Sequence, residues 1–375
     1  MIVGMLQGKL PVNDSAYKSI EEVIMGRPKK TADETPTANE MMYFTTGCTL
    51  LDLAFGGSKG ALGIASGDII NIPGAPSSGK TLLAMDMIAA NKYKYKDKFR
   101  FVFDDAESGN TFDMTSRYGF SLDEGESIQS TTVEEWSCNV RKFVRSLKSD
   151  EVGLYILDSL DGLGNDDLTE RVEKRQKAFE AGRDFEEGTF GMQSPKFLST
   201  EFFRTLTAEI NKKNILIVIL SQVRDNVGAG LYGAKYVRSG GRALDHGCHT
   251  IAWLKTLEKT EVKNRMIGAA VQCKITKSKT PRPNRICVFS YFTEYGVDNI
   301  GSNIDFLYEI RSDKTGELTK GAGALKWDEE ELSRDNLVKY IETNHLQAEL
   351  EKRVIAKWEE IEDSIKIERA SKYGI

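Results

Sequence analysis

One eight-residue segment constrains the fold of this chain more than any other feature. Residues 74–81 read GAPSSGKT, which fits the pattern G-x-x-x-x-G-K-[ST]. The segment follows the apolar run DIINI and opens the helical stretch TLLAMDMIAA. A strand, a glycine-rich turn and a helix in this order surround phosphate oxygens with backbone N–H groups and a helix N-terminus. The sequence therefore predicts a phosphate-binding loop, although a chance Gly/Ser-rich turn before a helix would read similarly.

The residue types in this loop predict which contacts it makes. Lys80 is expected to reach the β- and γ-phosphates, and the hydroxyl of Thr81 is expected to ligate Mg²⁺. The glycines let the backbone wrap around the phosphates. The predicted cofactors are therefore ATP and Mg²⁺. The predicted nucleotide-binding residues are Gly74, Ala75, Pro76, Ser77, Ser78, Gly79, Lys80, Thr81 and the residue that follows them, Leu82.

Short apolar runs alternate with longer amphipathic stretches through the middle of the chain. Continuous apolar runs of this length are typical of strands that are buried on both faces. Strands are predicted at 68–72, 99–104, 153–158 and 215–220. Helices are predicted at 80–91, 133–148 and 195–213. The alternation predicts an α/β fold with a mainly parallel sheet flanked by helices.

The regions before and after this pattern differ from it in composition. Residues 1–45 end in a polar stretch typical of a linker, and the region after residue 311 is first Gly-rich and then charged. The predicted organisation is an N-terminal segment at 1–45, a core at 46–311 and a small α+β or helical appendage at 312–375. The apolar stretch Ile20–Met25 in the N-terminal segment could pack on a neighbouring protomer.

Polar side chains stand at the ends of the predicted strands. Asp158 ends the run GLYILD, where a carboxylate holds Mg²⁺ beside a phosphate loop; a helix N-cap is the alternative. The segment FDDAES ends another strand, and one of its carboxylates could polarise the water that attacks the γ-phosphate. The residue types leave this role open between Glu107 and Asp105, with solvated turn carboxylates as the alternative. Gln222 follows a third strand and could hydrogen-bond the γ-phosphate and respond to its loss.

Composition excludes several classes of protein. Of the 375 residues, 40% are hydrophobic and 29% charged, which is typical of a folded globular chain. The longest apolar run, Ile215–Leu220, is far shorter than the roughly 20 residues that span a bilayer. The N-terminus lacks the pattern of a signal peptide. The five cysteines form no C-x-x-C pair and the three histidines show no metal spacing, so we expect a reduced, cytoplasmic protein without zinc.

Charge is unevenly distributed along the chain. The formal net charge is −5, yet residues 263–285 carry seven basic side chains and no acidic one. Residues 223–242 carry four basic side chains and one acidic. An acidic total does not exclude nucleic acid when the basic residues share one surface.

The order of these motifs resembles the RecA family of recombinases over about residues 45–345. The segments that carry the resemblance are, in family order, TGCTLLDLAFGG, GIASGDIINIPG, GAPSSGKT, FDDAES, LYILDS, ILIVILSQVRDNVG, VRSGGRAL and ITKSK. The divergence between them is similar to the distance of phage-type recombinases from bacterial RecA. The resemblance implies a RecA-type P-loop NTPase core.

The resemblance also implies roles for single residues. Glu107 takes the place of the catalytic base, and Gln222 that of the switch that senses the γ-phosphate. Lys277 and Lys279 fall where the family projects lysines onto the ATP of the neighbouring subunit, which would place the active site between subunits. The alternative for these lysines is a solvated basic strand edge.

Met114 falls where the family usually has an aromatic ring stacked on adenine, so Phe112 becomes the substitute.

A first DNA-binding loop is implied between Gly164 and Pro195, with its tip at Thr189–Gln193 and an intercalating Met192. Its Glu- and Lys-rich start has no assigned family counterpart. Arg204 stands at a position used for phosphate contact.

A second DNA-binding loop is implied at Arg224–Arg242. Glycines let the backbone approach phosphates, and aromatic rings stack on bases. Its candidate contacts are Tyr232, Tyr236, Lys235, Arg238 and Arg242. The alternative is an ordinary surface loop, but a 19-residue loop without secondary structure is usually functional.

The function implied by the resemblance is that of an ATP-dependent recombinase. Such a protein forms helical filaments on single-stranded DNA, pairs it with homologous duplex DNA and exchanges strands. Implied partners are both DNA forms, further copies of the chain, and single-strand-binding and mediator proteins, in a bacterial or phage-infected cytoplasm without membrane contact.

Two alternatives stay open: a hexameric helicase on the same core, and a mediator paralogue that binds ATP and DNA. Helicases usually carry an arginine finger where this chain has lysines, and the retained Lys80, Glu107 and Asp158 count against the mediator.

Overall fold

The computed structural model describes residues 42–56, 62–109, 113–181, 197–225, 236–279, 284–312, 315, 317, 323–366 and 369. The chain divides into two compact units, one comprising Asn39–Ala322 and the other including Gly323–Ile375. The boundaries predicted from the sequence, at 45/46 and 311/312, stay predictions.

The larger unit is built on a mixed sheet, ten-stranded within the described residues. Its strands are β3 (Ile69–Gly74), β4 (Phe99–Asp105), β5 (Glu126–Ile128), β6 (Val152–Asp158), β7 (Ile215–Asp225), β8 (Tyr236–Arg238), β9 (Thr250–Val262), β10 (Arg265–Lys277), β11 (Ile286–Phe292) and β12 (Gly296–Asp298). The order across the sheet is β12-β11-β10-β9-β3-β7-β6-β4-β5, with β8 paired to β7. A separate two-stranded sheet joins β1 (Tyr43–Phe44) to β2 (Ile64–Ala65).

The strand pairings confirm the predicted fold class. Strands β9, β3, β7, β6, β4 and β5 pair in parallel, while β10, β11 and β12 extend the sheet with antiparallel pairs. The four strands predicted from apolar runs are β3, β4, β6 and β7, and they lie side by side. Every residue of β3 and β6 is buried, as expected for strands covered on both faces. The carboxyl ends of these strands meet at one edge of the sheet, which is where α/β folds place their sites.

Helices flank this sheet. They are α1 (Thr49–Gly56), α2 (Lys80–Tyr95), α3 (Met114–Tyr118), α4 (Val133–Ser146), α5 (Asp166–Glu180), α6 (Phe203–Ile210), α7 (Gly241–Gly247) and α8 (Asn299–Leu307). The apolar faces of α4 and α6 pack with β6 and β7 in one core. Within it the rings of Trp136 and Phe202 stack with their centroids 4.2 Å apart. None of the described helices combines the length and the apolar character needed to cross a membrane.

Two predicted loops contain regular structure, so the prediction of plain loops was wrong there. The start of the first loop is α5, because residues 166–180 contain strong helix formers and neither glycine nor proline. In the second, β7 continues to Asp225 and pairs antiparallel with β8. The predicted helix 195–213 begins, within the described residues, as a π-helical turn at Leu198–Phe202 that leads into α6.

The smaller unit contains a two-stranded sheet and two helices. These are β13 (Leu325–Trp327), β14 (Glu330–Leu332), α9 (Arg334–Thr343) and α10 (Gln347–Ser364). Its described buried apolar residues are Leu325, Trp327, Leu337, Ile341, Leu350 and Val354. The guanidinium of Arg353 lies 3.9 Å from the ring centroid of Trp327.

Candidate nucleotide-binding site

The loop at residues 74–81 lies between β3 and α2, as the motif predicts. Gly79 has φ +83°, a left-handed conformation, and a Cβ built there would lie 2.8 Å from the ring of Tyr291. A Cβ on Gly74 would lie 2.4 Å from Oγ of Ser78. Position 79 therefore requires glycine, and a larger residue at position 74 would displace the hydroxyl of Ser78. Leu82 is buried in the core, so the contact predicted for it with a nucleotide would come from its backbone and not from its side chain.

The loop presents donors of the kind that phosphate oxygens accept. The ammonium of Lys80 donates to the carbonyl oxygens of Gly74 and Ala75, both at 3.0 Å. Burial lowers the pKa of Lys80, while the nearby carboxylates of Asp158 and Glu107 favour its charged form. The hydroxyl of Ser78 is buried and has no hydrogen-bond partner among the described residues. An ammonium group and a spare hydroxyl beside a helix N-terminus fit the phosphates of a nucleotide.

The oxygen atoms beside the loop fit Mg²⁺. The hydroxyl of Thr81 donates to Oδ2 of Asp158 at 2.6 Å. Burial raises the pKa of Asp158 to about 6, and the hydrogen bond from Thr81 opposes this shift. The carboxylate of Asp158 therefore faces Thr81. This contact does not fit the alternative that Asp158 caps the N-terminus of a helix. Mg²⁺ is commonly held by one or two such oxygens together with nucleotide phosphates.

The three acidic residues of FDDAES have different surroundings. Asp104 is buried and accepts hydrogen bonds from the backbone and hydroxyl of Ser130, at 2.8 and 2.6 Å, and from the hydroxyl of Tyr155 at 2.6 Å. It is part of the packing of the sheet. Asp105 ends β4 and is paired in register with Asp158. Glu107 is exposed and accepts hydrogen bonds from the hydroxyl of Ser159 and, at 2.8 Å, from the amide of Gln222. The structure thus brings Glu107 and Gln222 together with Lys80, Thr81 and Asp158.

Two polar residues beside this site were missed from the sequence. Asn71 in β3 is fully buried and donates to Oγ of Ser221 at 2.7 Å and to the carbonyl oxygen of Ile219 at 2.8 Å. Asp161 lies in the 3₁₀ turn that follows β6 and accepts a hydrogen bond from the backbone N–H of Gln222 at 2.6 Å. A polar residue inside the apolar run DIINI was the signal for Asn71. For Asp161 the only signal was its place three residues after Asp158.

Arg238 was predicted to contact DNA, but its side chain is buried in the structure. Only 5% of its side chain is exposed, and its guanidinium donates to Asn71 and Asp245 and lies 5.8 Å from the ring centroid of Trp253. The prediction that Arg238 contacts a DNA phosphate is wrong for this conformation, because β8 folds back onto β7 and turns the side chain into the protein.

The other candidate DNA contacts are distributed differently. Arg204, Arg242 and Tyr236 are exposed. Met114 is buried at the start of α3, where only 2% of it is exposed. The predicted residues Phe112, Met192, Tyr232 and Lys235, and the loop tip Thr189–Gln193, lie outside the described residues.

Lys277 and Lys279 are not brought to the phosphate loop of their own chain. Lys277 ends β10, and its ammonium donates to the carbonyl oxygens of Asp245, His246 (3.3 Å) and Cys248 (2.6 Å) at the end of α7. In the sheet Lys277 pairs with Ile251, and Ile251 in turn pairs with Asn71 of β3. Asn71 precedes Gly74, the first residue of the phosphate loop, by three residues. Lys279 is exposed and interacts electrostatically with Asp68. Burial raises the pKa of Asp68 to about 6, and the charge of Lys279 opposes this shift.

Comparisons with known proteins show what the chain is similar to. The family model of the RecA N-terminal domain matches residues 15–298. The chain is 26% identical over 332 residues to Protein RecA of Caulobacter sp. (strain K31), covering 87% of this chain and 84% of that protein. It is 29% identical over 305 residues to Protein RecA of Rippkaea orientalis (strain PCC 8801 / RF-1), covering 80% and 78%. A crystal structure of the RadB recombinase is similar with a TM-score of 0.45 and 18% identity, covering 68% of this chain and 98% of that one.

Proposed function

This chain belongs to the RecA family, and we propose that it is an ATP-dependent recombinase that assembles on single-stranded DNA and exchanges strands with a homologous duplex. The observation that carries the proposal is the hydrogen bond between Gln222 and Glu107. It joins the residue suited to activate water to the strand that leads into the basic, glycine-rich segment at 224–242. Hydrolysis and DNA binding thereby both depend on β7.

The residues of the site have complementary roles in this proposal. Lys80 binds the β- and γ-phosphates, and Thr81 and Asp158 hold Mg²⁺. Glu107 accepts a proton from the attacking water. ATP would supply the phosphoryl group that is transferred to water, with ADP as the leaving group, and Mg²⁺ would neutralise charge on the phosphates. Gln222 exchanges its contact with Glu107 for one with the γ-phosphate, and this exchange orders the segment behind it.

Strand exchange is the experiment that tests this function. With ATP and Mg²⁺, the chain is expected to convert single-stranded DNA and homologous linear duplex into joint molecules and exchanged products. Heterologous duplex serves as the control and should give neither. Unwinding without homology would indicate the helicase alternative, and the absence of exchange without another recombinase would indicate the mediator; either result would overturn the proposal.

The positions of Lys277 and Lys279 support an active site shared between subunits. Lys277 donates to a carbonyl oxygen at the end of α7, and Lys279 interacts electrostatically with Asp68, rather than with the phosphate loop of their own chain. A cation that approaches the γ-phosphate from a neighbouring subunit stabilises charge that develops during hydrolysis. We therefore expect assembly and hydrolysis to depend on each other.

Mixing two inactive variants tests the shared site. Lys277→Ala/Lys279→Ala protein and Lys80→Ala protein should each lack DNA-dependent ATPase, whereas their mixture should recover part of it, because an intact Lys80 then faces intact lysines. The matched control is Lys274→Ala, an exposed lysine on the same strand, which should keep wild-type activity. Thermal unfolding of each variant checks that losing the contact of Lys277 with α7 leaves the chain folded. Wild-type ATPase in the double variant alone would contradict the shared site.

The exposed residues Arg204 and Arg242 lead to a prediction about the salt dependence of DNA binding. If Arg204 and Arg242 contact phosphates, replacing both with alanine should weaken binding to all single-stranded sequences alike. The slope of log K against log salt should become shallower by about 1.4, since each contact to a single strand contributes roughly 0.7. Fluorescence anisotropy with labelled oligonucleotides at several salt concentrations measures this slope. Arg145→Ala, on the surface at the end of α4, is the control, and an unchanged slope in the double variant would remove Arg204 and Arg242 from the DNA site.

A further inference from the structure

Asp161 connects the turn after β6 to both arms of the hairpin formed by β7 and β8. Its Oδ2 accepts the backbone N–H of Gln222 at 2.6 Å, and its Oδ1 accepts the hydroxyl of Ser239 at 2.5 Å. Nη2 of Arg224 lies 3.7 Å from the same Oδ1. Gln222 and Arg224 lie on the outgoing strand, and Ser239 directly follows the returning strand. One carboxylate therefore holds the two ends of the segment implied in DNA binding.

Asp161 also fixes the backbone from which Gln222 acts. The side-chain amide of Gln222 donates to Glu107 at 2.8 Å, while its backbone N–H is held by Asp161. A change of partner at the side chain of Gln222 therefore acts on a backbone that is tied to the turn carrying Asp161. Without this tie, the outgoing strand could respond to Glu107 while the turn and the returning arm stayed as they were.

The turn that carries Asp161 is itself packed against the catalytic segment. Gly162 approaches Ala106 so closely that an added Cβ would lie 2.6 Å from the carbonyl oxygen of Ala106, the neighbour of Glu107. A shift of the Glu107 segment is thus passed on to the turn of Asp161. Only 4% of the Asp161 side chain is exposed, and a buried carboxylate that loses a donor is destabilised. Movement of one arm of the hairpin without the other is therefore unfavourable.

We propose that Asp161 is a positioning residue that makes both arms of the β7–β8 hairpin respond together to the nucleotide. Asp161 acts through Gln222 and Ser239 and does not touch the nucleotide itself. The inference rests on the proposed function, because it explains how occupancy of the phosphate loop is passed to the DNA-binding segment. Replacing Asp161 should uncouple the two sites while leaving each able to bind its own ligand.

The coupling is measured as a ratio of two affinities. A fluorescent oligo(dT) is titrated with the full chain, with and without a non-hydrolysable ATP analogue and Mg²⁺. For the wild type the analogue should tighten DNA binding, and couplings of this kind are typically about 5- to 150-fold. Asp161→Asn keeps the size of the side chain but replaces an acceptor oxygen with a donor. It should lower the ratio by at least about fivefold, while direct titration shows that the analogue still binds.

Two further variants separate positioning from a general structural role. Ser239→Ala removes only the donor on the returning arm, so it tests the same connection even where Asp161→Asn fails to fold. It should lower the ratio in the same direction, and a variant with both changes should show no additional loss. Asp150→Asn is the control, because Asp150 is exposed on the turn before β6 and should leave the ratio unchanged.

The outcomes distinguish this inference from the function on which it rests. If the wild type shows nucleotide-dependent DNA binding and both Asp161→Asn and Ser239→Ala keep the full ratio, the role of Asp161 is refuted and the proposed function stands. If the wild type shows no nucleotide-dependent DNA binding, the proposed function and the role of Asp161 both fail.

Discussion

Replacing Lys80 with alanine is expected to abolish nucleotide-dependent DNA binding by removing the nucleotide itself. The ammonium now donates to two carbonyl oxygens of the loop, and with ATP bound it is the charged donor nearest the phosphates. Losing two charge-assisted hydrogen bonds of about 1.5 kcal/mol each weakens ATP binding by about a hundredfold or more. Equilibrium binding of a fluorescent ATP analogue measures the loss.

A lysine on the same helix provides the control for this prediction. Lys92 lies on α2, pairs with Glu124 at 2.7 Å and is partly exposed, so Lys92→Ala removes a lysine without touching the loop. Surface pairs of this kind contribute about 1 kcal/mol or less to stability. Near-wild-type ATP affinity in Lys80→Ala protein would mean that the loop at 74–81 does not bind the nucleotide phosphates.

Replacing Glu107 with glutamine is expected to stop hydrolysis while ATP still binds. General-base catalysis typically contributes about 10²–10⁴-fold, so DNA-dependent ATPase should fall by that factor. The change removes only the charge of Glu107, and glutamine still offers an acceptor to Ser159 and Gln222. Complexes with single-stranded DNA and ATP should consequently last longer than those of the wild type.

Steady-state ATPase and the lifetime of the DNA complex test the Glu107 prediction together. Glu294→Gln is the matched control, since Glu294 is exposed on the turn between β11 and β12. Hydrolysis at the wild-type rate in Glu107→Gln protein would exclude Glu107 as the base and would return that role to Asp105 or another group.

The parts of the fold that depend on local pattern could be predicted from the sequence. The four apolar runs correspond to β3, β4, β6 and β7, because a strand buried on both faces has to be apolar along its whole length. The loop between Gly74 and Thr81 could be located because its glycines meet a steric requirement that few other residues satisfy. The proximity of Asp158 and Glu107 followed from the rule that parallel strands end at the same edge.

The parts that depend on how distant segments pair could not be predicted. Nothing in the composition of residues 224–242 indicates that Arg238 is buried against Asn71, since this follows from the pairing of β8 with β7. The contacts of Asp161 have the same origin: Ser239 lies 78 positions along the chain and reaches the carboxylate only after the hairpin has closed. The helix α5 was hidden by the expectation of a loop, although its residue types favour a helix.

Electron microscopy of the chain with single-stranded DNA and a non-hydrolysable ATP analogue tests directly whether the chain assembles as a recombinase. We expect helical filaments that form only when both ligands are present, and none from Lys80→Ala protein under the same conditions. Closed rings around the DNA, or small oligomers that do not extend along it, would contradict the assignment as a strand-exchange recombinase.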